Sequence, residues 1–247
     1  MANTATRNIT SAKKQIKPNT SELSIVIPAA GMGRRMKSYG PKALINIYDN
    51  MTLIERQVEL LWSVYPKAEI FVVVGFEAER IRKRLSDYPV RFILNPMHET
   101  TNVLYSIGLA MQAIISNEVM IVYGDLIFNE SAIRNLRGSS KVVVDNKGLL
   151  KKREVGLITQ NKKVTNFSFG LEKKWGQITY LTGKELYLFK EIAIKKESSQ
   201  WFGYEALNYV LDRGGKLQSV SPPAMKIFEI DIAKDLEKIP KTKLTFI

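Results

Sequence analysis

The 247-residue chain contains no cysteine and one histidine, His98. The first absence excludes a disulfide scaffold, a thiol nucleophile, iron–sulfur clusters and Cys-ligated zinc. The second excludes any multi-histidine metal site and leaves a single imidazole as a candidate base. No stretch approaches the roughly 18 apolar residues that a membrane-crossing helix needs. The first twenty residues also lack the apolar segment of a secretory signal. Residues 1–21, rich in Asn, Thr, Ser and Lys, read instead as a disordered basic leader, and a cytoplasmic location is expected. What remains, residues 22–247, is long enough to bury roughly 70–75% of its extended surface in one domain without a disulfide or metal staple.

Acidic residues are also scarce: 24 against 37 lysines and arginines, a net charge of +13. The excess is uneven. Arg7, Lys13, Lys14 and Lys17 have no acid near them in the first twenty residues, and residues 141–200 carry 13 bases against 6 acids. Such a field attracts nucleotides, nucleic acid or an anionic membrane surface, and a solvated basic face with a tail accounts for it equally well. No recognisable nucleic-acid-binding module accompanies the charge.

The hydrophobic pattern is that of an α/β sheet. Short β-branched runs at 23–28, 70–75, 90–95 and 119–123 read as buried strands. Between them, apolar residues at helical spacing predict helices over 52–65, 77–85 and 103–115. The first of these opens with a capping box, Thr52 and Glu55. Strands alternating with helices imply βαβ units and a mostly parallel sheet covered on both faces. From about residue 139 the texture changes to short strands at 142–144, 154–159, 163–167 and 177–181, a β-rich insertion spanning about 139–200. Helices at 186–194 and 202–212, strands at Val220 and 228–230, and a closing helix at 232–239 complete the reading.

In open parallel sheets ligands bind beyond the carboxyl ends of the strands, and four features fall there. The run Ala29-Ala30-Gly31-Met32-Gly33-Arg34-Arg35-Met36, followed by Pro41-Lys42-Ala43-Leu44, supplies glycines for close approach of backbone N–H groups to phosphate, with Arg34 and Lys42 as permanent charge. It matches neither the dinucleotide fingerprint nor the P-loop spacing. Asp125 follows the 119–123 strand and Asp231 follows the 228–230 strand. Either aspartate alone reads as a turn or cap residue. Beside a phosphate cradle they suit Mg²⁺, which takes a few carboxylates plus phosphate oxygens. The segment 95–106 places Asn95, Asn102 and Ser106 where they suit a base edge or a ribose.

These motifs resemble those of the nucleotidyltransferases that make sugar and alcohol nucleotides. The 27–44 stretch is similar to their signature, Gly124-Asp125-Leu126-Ile127-Phe128 to their first metal-aspartate motif, and Ile230-Asp231-Ile232-Ala233-Lys234-Asp235-Leu236 to their second. The order and distances agree over about residues 23–239. At the third site, Asn95…Thr101-Asn102…Ser106 is more similar to the phosphocholine cytidylyltransferases and related enzymes than to the Gln and Gly-Thr-Ala of the sugar enzymes. The resemblance implies a Rossmann-like three-layer fold with a mostly parallel mixed central sheet and a small β-rich insertion. It further implies that Ala29, Ala30 and Gly31 line base and sugar, that Gly33, Arg34 and Lys42 hold phosphates, and that Asn95, Asn102 and Ser106 complete the nucleoside pocket. Asp125 and Asp231 would ligate Mg²⁺. Many relatives carry a further lysine closing the strand that here reads 164–169, and in this chain no lysine occurs from Val164 until Lys173.

The implied reaction is transfer of a nucleotidyl group, CMP favoured, from an NTP to a small phosphorylated acceptor such as an alcohol phosphate or phosphonate, with pyrophosphate released. Uridylyl or thymidylyl transfer to a sugar 1-phosphate is the alternative. For the acceptor, Trp175, Tyr180, Trp201, Phe202 and Tyr204 offer aromatic faces to a quaternary ammonium group, with Glu205 adding negative charge. These aromatics fit a plain hydrophobic core as well. A nucleotide-sugar glycosyltransferase would usually carry a second acid two residues after Asp125, where this chain has Ile127. A homodimer is compatible with the sequence, which does not specify it.

Overall fold

The computed structural model describes residues 22–33, 40–48, 50–146 and 154–238. In chain order it runs through β1 (Leu23–Pro28), a 3-10 turn (Lys42–Leu44), β2 (Asn46–Tyr48), β3 (Met51–Thr52), α1 (Leu53–Val64), β4 (Glu69–Val74), α2 (Ala78–Arg84), β5 (Val90–Leu94), α3 (Val103–Ala113) and β6 (Glu118–Val122). The second half holds β7 (Leu126–Phe128), β8 (Lys141–Asp145), β9 (Val155–Gln160), β10 (Lys163–Phe169), β11 (Lys173–Thr182), α4 (Gly183–Ala193), α5 (Gly203–Asp212), β12 (Gln218–Val220), β13 (Ile227–Glu229) and a 3-10 helix (Ala233–Lys238). The expected leader and Arg34 lie outside the described residues.

β1 and β4 read as unbroken apolar runs because both of their faces are covered. Val26, Phe71 and Val73 meet Leu104 and Ile107 of α3. Ile25, Ile27, Val72 and Val74 point the other way, toward Val58 and Leu61 of α1 and Ile81 of α2. The result is three layers, with α1 and α2 on one face of the sheet and α3, α4 and α5 on the other.

Nine strands form the sheet in the order β5-β4-β1-β6-β11-β8-β12-β10-β9. Its β5-β4-β1-β6 part is parallel, as expected from the βαβ spacing. β11 then runs antiparallel to β6. β9 pairs back onto β11, so β11-β8-β12-β10-β9 closes into a five-stranded unit.

Two local features turn on acidic side chains. Glu55 receives the backbone N–H of Thr52 at 2.8 Å in the capping box expected at the start of α1. The Thr52 hydroxyl also donates to Glu55, at 2.6 Å, and Arg84 closes on the same oxygen at 2.6 Å. The expected closing α-helix is instead the 3-10 helix Ala233–Lys238. The two N–H groups just ahead of it, those of Asp231 and Ile232, are taken by the Asp235 carboxylate at 3.0 Å each, and the Asp235 N–H donates to the Ile232 carbonyl three residues back. A short acid bonding its own backbone competes with the α-helical pattern in this way.

Candidate active site

The two aspartates meet through a small sheet that hydrophobic periodicity did not show. β7 pairs antiparallel with β13, Leu126 opposite Glu229. Asp125 immediately precedes one strand and Asp231 follows the other by one residue, so both stand at the same end of the ladder. The Ile230 N–H donates to the Asp125 carbonyl at 2.9 Å and fixes that end. Lys42, on the 3-10 turn after Pro41, reaches between the carboxylates, 3.1 Å from Asp125 Oδ2 and 3.2 Å from Asp231 Oδ1. Burial pulls the Lys42 ammonium toward neutrality, but Asp125 and Asp231 together outweigh it and hold the group charged.

Around this triad opens a cleft of about 760 Å³. The parallel half contributes Ala29, Ala30, Gly31 and Gly33 from the end of β1, and Asn95, Asn102 and Ser106 from the end of β5 and the start of α3. Gly33 has φ +57°, a conformation that favours glycine. Ala29 N–H and Ala30 C=O are tied to the end of β4 through Val73 and Phe76, which places the glycine turn over the strand ends. Asn95 is buried, and its side-chain hydrogen bonds stay within the loop and the start of α3. Its amide donates to Thr101 Oγ1 (3.2 Å) and Ser106 Oγ (3.0 Å), and its oxygen accepts from Met97 N–H (2.8 Å). Asn102 caps α3 and donates to the Gln200 carbonyl at 3.3 Å, tying this loop to the segment before α5.

The other half contributes aromatic and acidic side chains. Trp175, Phe169, Phe202 and Tyr204 line the cleft together with Glu154 and Glu229. Phe169 stands edge-on to Tyr204 at 5.5 Å, and Phe202 stacks on Tyr204 at 6.0 Å. Trp175 is packed edge-on between Tyr123 and Phe167. Glu154 is paired with Lys174 at 2.8 Å. Glu229 is raised to about 7, chiefly by burial and then by the neighbouring Asp125 charge. Three residues suggested for the acceptor stand apart from the cleft. Tyr180 belongs to the core on the opposite face of the sheet from Trp175, as an odd spacing of five along β11 requires. Trp201 packs against the core beside α3, and Glu205 accepts the Phe202 N–H at 2.7 Å as a cap of α5.

Pattern reasoning missed Phe169, Glu154 and Glu229. Glu229 alternates with Phe228 toward the cleft only because β13 pairs with β7. The bulge in β11 at Gln177 (φ +55°) likewise brings that side chain into the cleft without a sequence signal.

Two buried polar atoms of the cleft have no hydrogen-bond partner, Asp125 Oδ1 and Trp175 Nε1. Such groups are rare in folded proteins and are ones a ligand would satisfy. A carboxylate pair with one lysine and an orphaned oxygen fits a divalent cation. Among the described residues no group of three or more His, Asp or Glu could hold a metal. A cation here would therefore draw further oxygens from a bound phosphate or water, the habit of Mg²⁺.

Glycine turn, lysine and aspartates thus stand together at the strand ends of an α/β sheet. The chain belongs to the family described as the MobA-like NTP transferase domain, whose model matches residues 25–148. The bifunctional protein GlmU of Buchnera aphidicola is 26% identical over 219 residues, 82% of this chain and 47% of that protein. The chain thus spans about half the length of the curated relatives it matches. Among solved structures, the CTP:phosphocholine cytidylyltransferase of Streptococcus pneumoniae superposes with a TM-score of 0.74 at 19% identity, covering 88% of this chain and 97% of that one. The inositol-1-phosphate CTP transferase of T. maritima gives 0.69 at 18%, covering 92% and 94%. A glucose-1-phosphate thymidylyltransferase of Bacillus anthracis, named as putative, gives 0.71 at 17%, covering 88% and 93%. At these identities the likeness establishes the fold. No helix among the described residues is long and apolar enough to cross a membrane.

Proposed function

We propose that the protein transfers CMP from CTP to a small phosphorylated alcohol or phosphonate that carries a cationic head group. The observation that carries the reading is the acceptor half of the cleft, lined by the rings of Trp175, Phe169, Phe202 and Tyr204 with Glu154 and Glu229. Aromatic faces select a desolvated ammonium group, and a cation bound beside Glu229 would favour the ionised form of that carboxyl. A neutral sugar ring would instead call for a set of hydrogen-bonding side chains. That two of the structural neighbours act with CTP on alcohol phosphates supports the choice of nucleotide.

In the reaction a phosphate or phosphonate oxygen of the acceptor attacks the α-phosphorus of the nucleotide, a new P–O bond forms, and the bond to the β-phosphate oxygen breaks to release pyrophosphate. The nucleophile is ionised at neutral pH, so no general base is required, in keeping with a chain that has one histidine. Lys42, held charged inside the cleft, would stabilise the negative charge spread over the transferring phosphoryl group. The Ala29–Gly33 turn would seat the nucleotide over the strand ends, and positioning of the two phosphates beside Lys42 supplies much of the rate. Asp125 and Asp231 would hold Mg²⁺, which when bound supplies further positive charge to the phosphate oxygens.

The test is Mg²⁺-dependent pyrophosphate release with CTP, UTP, dTTP, ATP and GTP. The acceptors would be phosphocholine, phosphoethanolamine, 2-aminoethylphosphonate, glycerol phosphate and sugar 1-phosphates. Release with CTP and a cationic alcohol phosphate or phosphonate is the expected result. Release only with UTP or dTTP and a sugar 1-phosphate would overturn both the nucleotide and the acceptor assignment.

A further inference from the structure

Gln57 lies on α1, outside every motif singled out in the sequence, and is fully buried. Its amide nitrogen donates to two main-chain carbonyls, Tyr123 at 2.9 Å and Leu126 at 2.7 Å. These carbonyls flank Gly124-Asp125, so one side chain spans the turn that presents the Asp125 carboxylate. Its orientation is not interchangeable: a flipped amide would point its oxygen at both carbonyls. The amide oxygen has no partner of its own. A buried amide kept half-satisfied in an otherwise apolar helix face carries an energetic penalty that packing alone does not require.

Little else holds this turn from the helix side. Within it, the Leu126 N–H reaches Tyr123 C=O only at 3.4 Å. From the other side Ile230 N–H holds the Asp125 carbonyl. On the carboxylate, Lys42 takes Oδ2 while the buried Oδ1 is unpartnered. The main chain beneath Asp125 is therefore clamped between α1 and β13, and the free oxygen is aimed by that clamp.

We infer that Gln57 is a positioning residue for Asp125, setting the direction of the oxygen offered to the divalent cation. This rests on the nucleotidyltransferase reading of the site. Outer groups that orient a metal-ligating carboxylate typically change metal affinity or activity by about 10–100-fold when removed.

The experiment uses the full chain and two variants. Gln57→Leu keeps the volume and removes both donors; Gln57→Asn keeps an amide but withdraws it by one methylene, and serves if the leucine variant does not fold. Steady-state pyrophosphate release is measured against Mg²⁺ at saturating nucleotide and against nucleotide at saturating Mg²⁺. Amide hydrogen exchange is followed by peptide in the same proteins. The expected result is a fall in kcat of about tenfold or more with a several-fold rise in half-saturating Mg²⁺ and little change in nucleotide KM. Faster exchange should be confined to the peptide covering 123–128. A folded variant with kcat and half-saturating Mg²⁺ within about twofold of wild type would overturn the inference, as would exchange accelerated evenly along the chain. Should wild type release no pyrophosphate with any nucleotide, the functional reading falls separately. The exchange measurement then decides the clamp alone, with unchanged protection of 123–128 counting against it.

Discussion

In the parallel half of the molecule, β1, β4 and β6 are buried almost throughout, and much of what they bring to the cleft is main chain: the Ala29–Gly33 turn and the Gly124-Asp125 turn. In the β-rich half the relation is reversed. β10 alternates between buried Val164 and Phe167 and exposed Lys163 and Thr165, and ends on the exposed Phe169, whose ring lines the cleft. A backbone cradle recognises what all nucleotides share, their phosphates. On the proposed function, a lining of side chains would recognise what differs between acceptors, and each is replaceable without rebuilding a sheet. The division follows from burial: a strand covered on both faces has no free side chain to offer except at its end.

Striking at the charges that both halves share gives the largest expected effect. Lys42→Met or Asp125→Ala should lower kcat by about 10²-fold or more, the scale of losing one preorganised stabiliser. Thermal stability should change little, since both side chains are only partly buried. Near-normal pyrophosphate release from either folded variant would mean that transfer does not occur at this cleft.

A pair of glycine substitutions separates the halves. A Cβ on Gly75 would lie 2.6 Å from His98 Cβ and 2.8 Å from the Ala30 carbonyl, pressing on the nucleotide turn. A Cβ on Gly203 would fall on the Tyr123 hydroxyl, which packs against Trp175. Overpacking of this kind costs about 1–3 kcal/mol, and each ~1.4 kcal/mol directed at one ligand is a tenfold change in its affinity. Gly75→Ala should raise the nucleotide KM about tenfold and leave the acceptor KM alone; Gly203→Ala should do the reverse. If either variant moved both constants equally, the two halves would not be separate recognition surfaces.

How much of this was legible beforehand follows the same division. β1, β4 and β6 were readable because a strand buried on both faces writes itself as an apolar run, and β5, a half-exposed edge strand, from its β-branched and aromatic residues despite Arg91. Lys42, Asp125 and Asp231 were readable because they sit at strand ends within recognisable motifs. The pairing of β7 with β13 was not, since it joins segments about a hundred residues apart through three residues each. Glu229 and Gln57 were lost with it: nothing in a helical heptad tells which polar residue turns inward to a distant carbonyl. Tyr180 shows the opposite error. Its aromatic type suggested the cleft, while its odd spacing of five from Trp175 along β11 sends it to the other core.

The smallest expected effect sharpens the acceptor side. Phe202 is 45% exposed, so Phe202→Ala should leave the thermal transition nearly unchanged. If its ring face meets a cationic head group, the loss is worth about 0.5–2 kcal/mol, which appears as a roughly two- to thirtyfold rise in acceptor KM. Phe202→Leu keeps most of the apolar surface and removes the π face, so it separates the two contributions. With phosphocholine as acceptor, leucine should behave like alanine; with glycerol phosphate, which carries no positive charge, neither variant should differ from wild type. Equal losses with both acceptors, rescued by leucine, would show that Phe202 contributes hydrophobic contact alone.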